Sequence, residues 1–133
     1  MTIEATYQGD LRTSARHLKS GDQLITDAPT DNRGKGEAFS PTDLVATALG
    51  TCILTIMGIK AKDKGIDILG AKVEVNKVMA SDPRRIAKLE VNISMPPKAY
   101  SDKEKKILEA AAHHCPVFNS LHPDLEEVIT IHW

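Results

Sequence analysis

The feature that most constrains the fold is an apolar stretch, Leu44–Ile59, that follows a well-marked helix start. Ser40 suits the N-cap, Pro41 suits the first turn, and Asp43 favours the positive end of the helix dipole. Apolar residues run almost all the way round this helix, and a helix that is apolar on every side is buried on every side. In a chain of 133 residues, this predicts a central helix covered by a sheet or by a second subunit.

Short strands and a second helix are predicted around this segment. Alternating apolar and polar residues bounded by turn residues indicate the strands, and Ser101 with Glu104 forms a capping box. A polar, Gly-rich loop is expected at Asp27–Glu37. The predicted strands are Thr2–Tyr7, Leu11–His17, Asp22–Thr26, Ile68–Val78, Arg85–Ser94 and Glu127–His132; the second helix is Asp102–His114, and a short turn or helix covers Val117–Leu121. This order predicts a single α+β domain over residues 1–133 with antiparallel sheets.

Composition and charge narrow the classes of function. The net charge is −1, from 17 basic and 18 acidic residues, so neither nucleic acid nor an anionic membrane is expected as a partner. The opening residues lack the apolar core of a signal peptide, and Leu44–Ile59 is interrupted by polar residues and shorter than a bilayer span. We therefore expect a soluble cytoplasmic protein, in a compartment that keeps thiols reduced.

The two cysteines, Cys52 and Cys115, lie at predicted helix sites and have no CxxC partner. Such a pair is either two inert core thiols, a structural disulfide, or a nucleophile with a thiol that resolves it. A free cysteine on an apolar helix is most often a small core residue. Because apolar surroundings disfavour a thiolate, a nucleophilic cysteine there needs a cation supplied by the fold. Among Arg12, Arg16 and Arg33, Arg12 is the best candidate, since it follows a hairpin turn.

Other motifs do not predict a further site. His113, His114 and Cys115 are consecutive, and neighbours on a helix diverge by about 100°, so no shared metal ion is expected. One histidine either faces solvent or tunes Cys115. The chain has no G-x-S-x-G hydrolase motif, and Gly34-Lys35-Gly36 lacks the spacing of a phosphate-binding loop. No cofactor is predicted.

A family resemblance extends these inferences. The segment Ser40–Cys52, the later Cys115-Pro116-Val117, and the opening Tyr7-x-Gly9-x-Leu11-Arg12 resemble the superfamily of osmotically inducible protein C and organic hydroperoxide resistance proteins (OsmC/Ohr), in its OsmC-like branch. The resemblance implies an intertwined homodimer in which antiparallel sheets from both chains wrap around long central helices. A partner subunit would then cover the helix that is apolar all round.

The resemblance also implies a thiol-dependent peroxidase acting in oxidative stress defence. Cys52 would be the peroxidatic cysteine that attacks an organic or hydrogen peroxide, and Cys115 would resolve its sulfenic acid into a redox-active disulfide. An external thiol or dithiol would reduce that disulfide. Arg12 would be the family arginine that stabilises the thiolate and polarises the peroxide.

One departure from the family pattern concerns the residue that holds this arginine. Active peroxidases of the family place a glutamate directly after the helix-start proline, whereas this chain has Thr42. We expect either that Asp43, Asp10 or Glu37 substitutes or that the arginine is held differently, and Asp43 is the predicted site residue. The alternative function is a non-catalytic protein that binds a small ligand in a pocket at the dimer interface, and a third is a structural dimer with inert thiols.

Overall fold

A computed structural model describes residues 1–133, and the chain forms six strands, three α-helices and a 3-10 turn at Thr30–Asn32. The strands are β1 (Ile3–Gly9), β2 (Arg12–His17), β3 (Gln23–Asp27), β4 (Lys72–Ala80), β5 (Arg85–Ser94) and β6 (Glu126–His132); the helices are α1 (Pro41–Lys64), α2 (Asp102–Ala112) and α3 (Pro116–Asn119). The chain divides into two compact units, Met1–Val45 and Ala46–Trp133, which are described separately. The prediction of a single domain stays a prediction.

The first unit is an antiparallel meander, β1-β2-β3. Asp10 and Leu11 both have positive φ, 51° and 62°, as a tight turn between right-twisted strands requires. The β2–β3 register places Arg12 directly opposite Asp27. Asp27 therefore ends β3 instead of opening the predicted loop, and the 3-10 turn further shortens that loop. The buried residues of this unit are all polar: Thr26, Asp27 and Ser40.

Helix α1 begins as its sequence predicts. The Ser40 N–H donates to Asp43 Oδ2 at 2.9 Å, and the Asp43 N–H donates to Ser40 Oγ at 3.1 Å, which satisfies two backbone donors at the helix start. The helix stops at Lys64, before Gly65 with φ 67°. Its 24 residues exceed the apolar stretch considered above, and by length and composition it could cross a membrane. The core helix of a soluble protein meets the same criterion.

In the second unit, α1 packs on the sheet along one side. The buried side is Ala46, Leu49, Gly50, Ile53, Met57 and Ala61. A Cβ on Gly50 would lie 2.9 Å from a methyl of Val75 and 3.3 Å from one of Val73, so the helix lies directly against β4. Burial on every side is therefore not provided by this chain alone, since one sheet covers only one side of a helix.

The sheet of the second unit has the order β4-β5-β6. β4 and β5 are antiparallel, but β5 and β6 are parallel, which corrects the expectation of antiparallel pairing throughout. The reason is that α2 and α3 lie between β5 and β6 in the chain, and such a crossover connection suits parallel neighbours. β4 starts at Lys72, after a turn in which Gly70 has φ 91°. The α+β class is confirmed.

Candidate functional site

The two cysteines meet in the second unit. Cys52 lies near the middle of α1 and is half-buried, whereas Cys115 is 1% exposed and forms the N-cap of α3, directly before Pro116. Pro116 suits the first helical position because it needs no hydrogen-bond acceptor there. Both cysteines are free thiols, and their side chains lie within hydrogen-bonding reach of each other.

Burial and the neighbouring thiol determine the charge of Cys115. Burial raises the pKa of the Cys115 thiol most, and the hydrogen bond with Cys52 raises it further. The backbone N–H groups of Phe118 and Val117 act in the opposite direction on this pKa but do not cancel the rise. Cys115 therefore remains protonated at neutral pH, and its S–H is the donor in the contact with Cys52.

The residues around Cys115 add two groups that sequence analysis left open or missed. His114 Nδ1 lies 2.6 Å from the Ala110 carbonyl oxygen, so this ring nitrogen donates to the last turn of α2. Glu127, on β6, has a buried Oε1 with no hydrogen-bond partner. Burial raises the pKa of Glu127, and the charge of His113 opposes that rise. The alternation of β6 could have placed Glu127 on the inner face, beside Ile129.

A groove opens between α1 and α2. Its volume is about 730 Å³, and its lining includes Ile56, Ile59, Lys60, Ile107, Ala110 and His114. Two lining residues are near the cysteines in the chain, since Ile56 lies one helical turn after Cys52 and His114 directly precedes Cys115, but neither cysteine lines the groove. An apolar floor with a few polar groups is typical of sites that bind small organic molecules.

In the first unit, Arg12 is held by two acids. Arg12 Nε donates to Asp27 Oδ1 at 2.7 Å, and Nη2 donates to Asp27 Oδ2 at 2.8 Å and to Glu37 Oε2 at 2.8 Å. The Asp27 side chain is 2% exposed and that of Glu37 is 63% exposed. The hydrogen bonds from Arg12 hold the pKa of Asp27 below its ordinary value, and Asp27, followed by Glu37, raises the pKa of Arg12.

The structure thus groups the predicted site residues in three places. Cys52 lies with Cys115, Arg12 lies with Asp27 and Glu37, and Asp43 caps α1 through Ser40. Of the three acids considered for Arg12, Glu37 makes a contact, and the role of Asp43 in the site stays a prediction. Asp27 was missed, although predicted strands that end at His17 and begin at Asp22 pair residue 12 with residue 27 in a regular hairpin.

Solved structures with the same fold include one of high sequence identity. A protein of Psychrobacter arcticus 273-4, named for osmotic stress induction and a detoxification response, is 55% identical, with 99% of this chain and 96% of that chain covered and a TM-score of 0.94. At 19% identity, an OsmC-like protein of Mycoplasma pneumoniae has a TM-score of 0.79, with 98% and 94% covered. An organic hydroperoxide resistance protein OsmC of Legionella pneumophila, also 19% identical, has a TM-score of 0.75, with 100% and 98% covered.

The sequence family is shown by a second, independent comparison. Residues 34–127, more than two thirds of the chain, match the model of the OsmC-like protein family, and this range contains both cysteines. Among curated proteins, none matches the chain. The match over residues 34–127, together with the 55% identity to the Psychrobacter protein, establishes that the chain belongs to the OsmC-like protein family.

Proposed function

We propose that this protein is a thiol-dependent peroxidase that reduces organic or hydrogen peroxides in oxidative stress defence. The observation that carries the proposal is the contact between Cys52 and Cys115, the two cysteines of the chain. The family is linked to organic hydroperoxide resistance and redox chemistry, as the Legionella relative illustrates by its name. Cysteines that meet as free thiols in one compact unit suit a cycle of oxidation and reduction.

The chemistry divides between the two thiols. The Cys52 thiolate attacks the distal oxygen of the peroxide, the O–O bond breaks, and the leaving alkoxide takes a proton to become an alcohol, or water when the substrate is hydrogen peroxide. The Cys115 sulfur then attacks the sulfenic acid of Cys52, its proton leaves with the hydroxyl group as water, and a disulfide forms. Two electrons from an external thiol or dithiol restore both thiols.

The assignment of roles follows from the surroundings of each sulfur. Cys115 is buried and its pKa is raised, so it is poorly suited to attack the peroxide first. As a protonated donor, Cys115 can direct its S–H towards the sulfur of the half-buried Cys52. Arg12 is the proposed cation that stabilises the thiolate and polarises the peroxide. Asp43 supports α1, which carries Cys52.

The groove between α1 and α2 favours an organic peroxide over hydrogen peroxide. Ile56 and Ile59 from α1, with Ile107 and Ala110 from α2, provide apolar surface that hydrogen peroxide cannot use. Burying an apolar body there stabilises the complex by about 25 cal/mol for each Å² removed from water. We therefore propose a peroxide with an apolar body as the preferred substrate.

A homodimer in the cytoplasm is the proposed form of the protein. An exposed stripe of α1, defined by Ala48, Thr51, Thr55 and Ile59, supports it. Thr51 Oγ1 donates to the Thr47 carbonyl and Thr55 Oγ1 to the Thr51 carbonyl, both at 2.8 Å, so both hydroxyls bond within the helix. The stripe then presents mostly carbon, which a second copy would bury.

The test is mass spectrometry of the reduced protein before and after one equivalent of cumene hydroperoxide. The wild type should lose the mass of two hydrogen atoms as a Cys52–Cys115 disulfide forms, with release of one equivalent of alcohol. Cys115→Ser should stop after one turnover with a sulfenic acid on Cys52. Cys52→Ser should leave the peroxide unconsumed, and full turnover by this variant would contradict the proposal.

A small-ligand-binding protein without catalysis is the second candidate, and the groove of about 730 Å³ favours it. The same experiment separates the two candidates. Unmodified thiols in the wild type and in Cys115→Ser would support binding alone. In that case, loss of the helix-start glutamate at Thr42 would account for a family member without peroxidase activity.

A further inference from the structure

Asp27 is a buried carboxylate of the first unit that accepts three hydrogen bonds. It accepts two hydrogen bonds from one edge of the Arg12 guanidinium, at 2.7 and 2.8 Å, and a third from the Glu37 N–H at 3.1 Å. Its side chain is 2% exposed, so its ionised form depends on these three donors. Such a two-point contact fixes the direction of an arginine as well as its charge.

The backbone makes this contact a fixed part of the sheet. Arg12 and Asp27 are direct cross-strand partners, and such partners have Cβ atoms about 4.5–5.5 Å apart. The Ala28 N–H donates to the Leu11 carbonyl at 3.1 Å, and the Asp27 N–H donates to the Phe39 carbonyl at 3.0 Å. These backbone bonds hold the two strands in the register that places Asp27 opposite Arg12.

Glu37 contacts the same guanidinium through a single, exposed hydrogen bond. Its carboxylate meets only Nη2, at 2.8 Å, and its side chain is 63% exposed. A single exposed contact is weak because water competes for both partners. Together the two acids engage Nε and Nη2 of Arg12, which leaves Nη1 outside these bonds.

We propose that Asp27 is the positioning residue of the peroxidase, holding Arg12 by Nε and Nη2 and leaving Nη1 to donate to the peroxide oxygen. This inference rests on the proposed function. It moves the arginine-holding role from the start of α1, where this chain has Thr42, to the end of β3. Glu37 is an auxiliary contact that an incoming anionic oxygen can displace from Nη2.

The test measures the rate constant of Cys52 oxidation by cumene hydroperoxide in stopped flow, for Asp27→Asn against matched variants. Asp27→Asn removes the charge with little change of shape, and we expect a loss of at least about tenfold, equivalent to about 1.4 kcal/mol of transition-state stabilisation. For Glu37→Gln, the rate constant should fall by less, about threefold at most. Glu4→Gln, which removes the exposed partner of Arg16 in the same sheet, should react as the wild type.

A second readout separates positioning from a loss of folding. Asp27→Asn should lower kcat and leave the KM for the peroxide nearly unchanged. The reason is that a misdirected arginine weakens stabilisation of the transition state more than binding of the peroxide. If Asp27→Asn does not fold by circular dichroism, Arg12→Lys provides the test, since lysine keeps the charge but cannot make the two-point contact. The rate constant of Cys52 oxidation should fall by at least about tenfold in Arg12→Lys.

Defined outcomes would overturn the inference. A rate within twofold of the wild type for Asp27→Asn, or for Arg12→Lys where the first does not fold, would exclude Asp27 as the positioning residue. An equal loss of rate in Glu37→Gln and Asp27→Asn would show that Asp27 is not the main residue that holds Arg12. Wild-type protein that does not consume peroxide would instead remove the proposed function on which the inference rests.

Discussion

Asp27 and Glu127 both have carboxyl groups shielded from solvent, and their contributions to the stability of the fold change with pH in opposite directions. The hydrogen bonds of Arg12 hold the pKa of Asp27 below 3.8, its ordinary value, so this contact stabilises the fold above that pH and is lost as the pH falls through the lower, folded value. Burial raises the pKa of Glu127 above 4.5, the value expected for the unfolded chain. The fold therefore loses stability as the pH rises from 4.5 to the higher pKa of the folded state, because the carboxyl group ionises more easily in the unfolded chain.

Glu127→Gln should therefore stabilise the protein at neutral pH and change little at acid pH. At pH 7 the variant avoids burying a charge, and we expect a gain on the order of 1 kcal/mol in the free energy of unfolding. Below about pH 4, where the wild-type carboxyl is also neutral, the gain should vanish. Urea unfolding at the two pH values measures this, with Glu126→Gln, an exposed neighbour on β6, as the control. An equal gain at both pH values would contradict the role given to burial.

The candidate site was predictable residue by residue only in part. Cys52 and Cys115 were predictable as a pair because rare residues in a family pattern carry their chemistry in their identity. Asp27 was missed because a carboxylate next to a Gly-rich segment is typical of a loop, so the predicted strand ended at Thr26 and its pairing was not extended to residue 27. Glu127 was missed because glutamates are mostly exposed, although its place in the alternation of β6 matches that of Ile129.

At the scale of elements, α1 contains two glycines in contrasting surroundings. A Cβ on Gly50 would approach the methyls of Val75 and Val73 at 2.9 and 3.3 Å, whereas a Cβ on Gly58 would meet nothing within 4 Å. Alanine is a better helix former than glycine by about 1 kcal/mol. Alanine substitutions at these two positions therefore distinguish the effect of helix propensity on stability from the effect of packing, within one helix.

Gly50→Ala should destabilise the protein by about 1–3 kcal/mol, because the added methyl pushes α1 away from β4. Gly58→Ala should stabilise it by up to about 1 kcal/mol, because the same methyl costs no contact and stiffens the unfolded chain. Both changes are measured by urea unfolding at equal protein concentration. A gain in both variants would show that α1 does not lie against β4 as closely as described.

Element boundaries and pairing show where prediction from local pattern ends. Helix starts at Ser40 and Ser101 were predictable because caps are local chemistry, and the structure shows both. The parallel pairing of β5 with β6 was not predictable from alternation, which is the same for both directions. The end of α2 at Ala112 in place of His114 follows from His113 adopting the C-cap, two residues ahead of Cys115.

At the scale of the whole molecule, the exposed stripe of α1 predicts the oligomeric state. Light scattering should give twice the 14.5 kDa mass of the chain. Thr55→Arg places a charge in the middle of the stripe and should shift the protein to monomer, because an unpaired charge at the centre of an apolar interface costs several kcal/mol. Thr130→Arg, at an exposed position on β6, is the control and should remain dimeric. Dimers in both variants would place the interface elsewhere.

The sparse interior of the first unit has a consequence for how activity depends on dilution. Its three strands bury polar residues only, so the sheet that carries Arg12 gains little hydrophobic stabilisation from its own chain and should exchange its amide hydrogens quickly. Association would slow this exchange, since binding stabilises the ordered form by mass action. Specific activity should then fall on dilution before the thiols themselves change, and the onset of that fall would report the dissociation constant of the assembly.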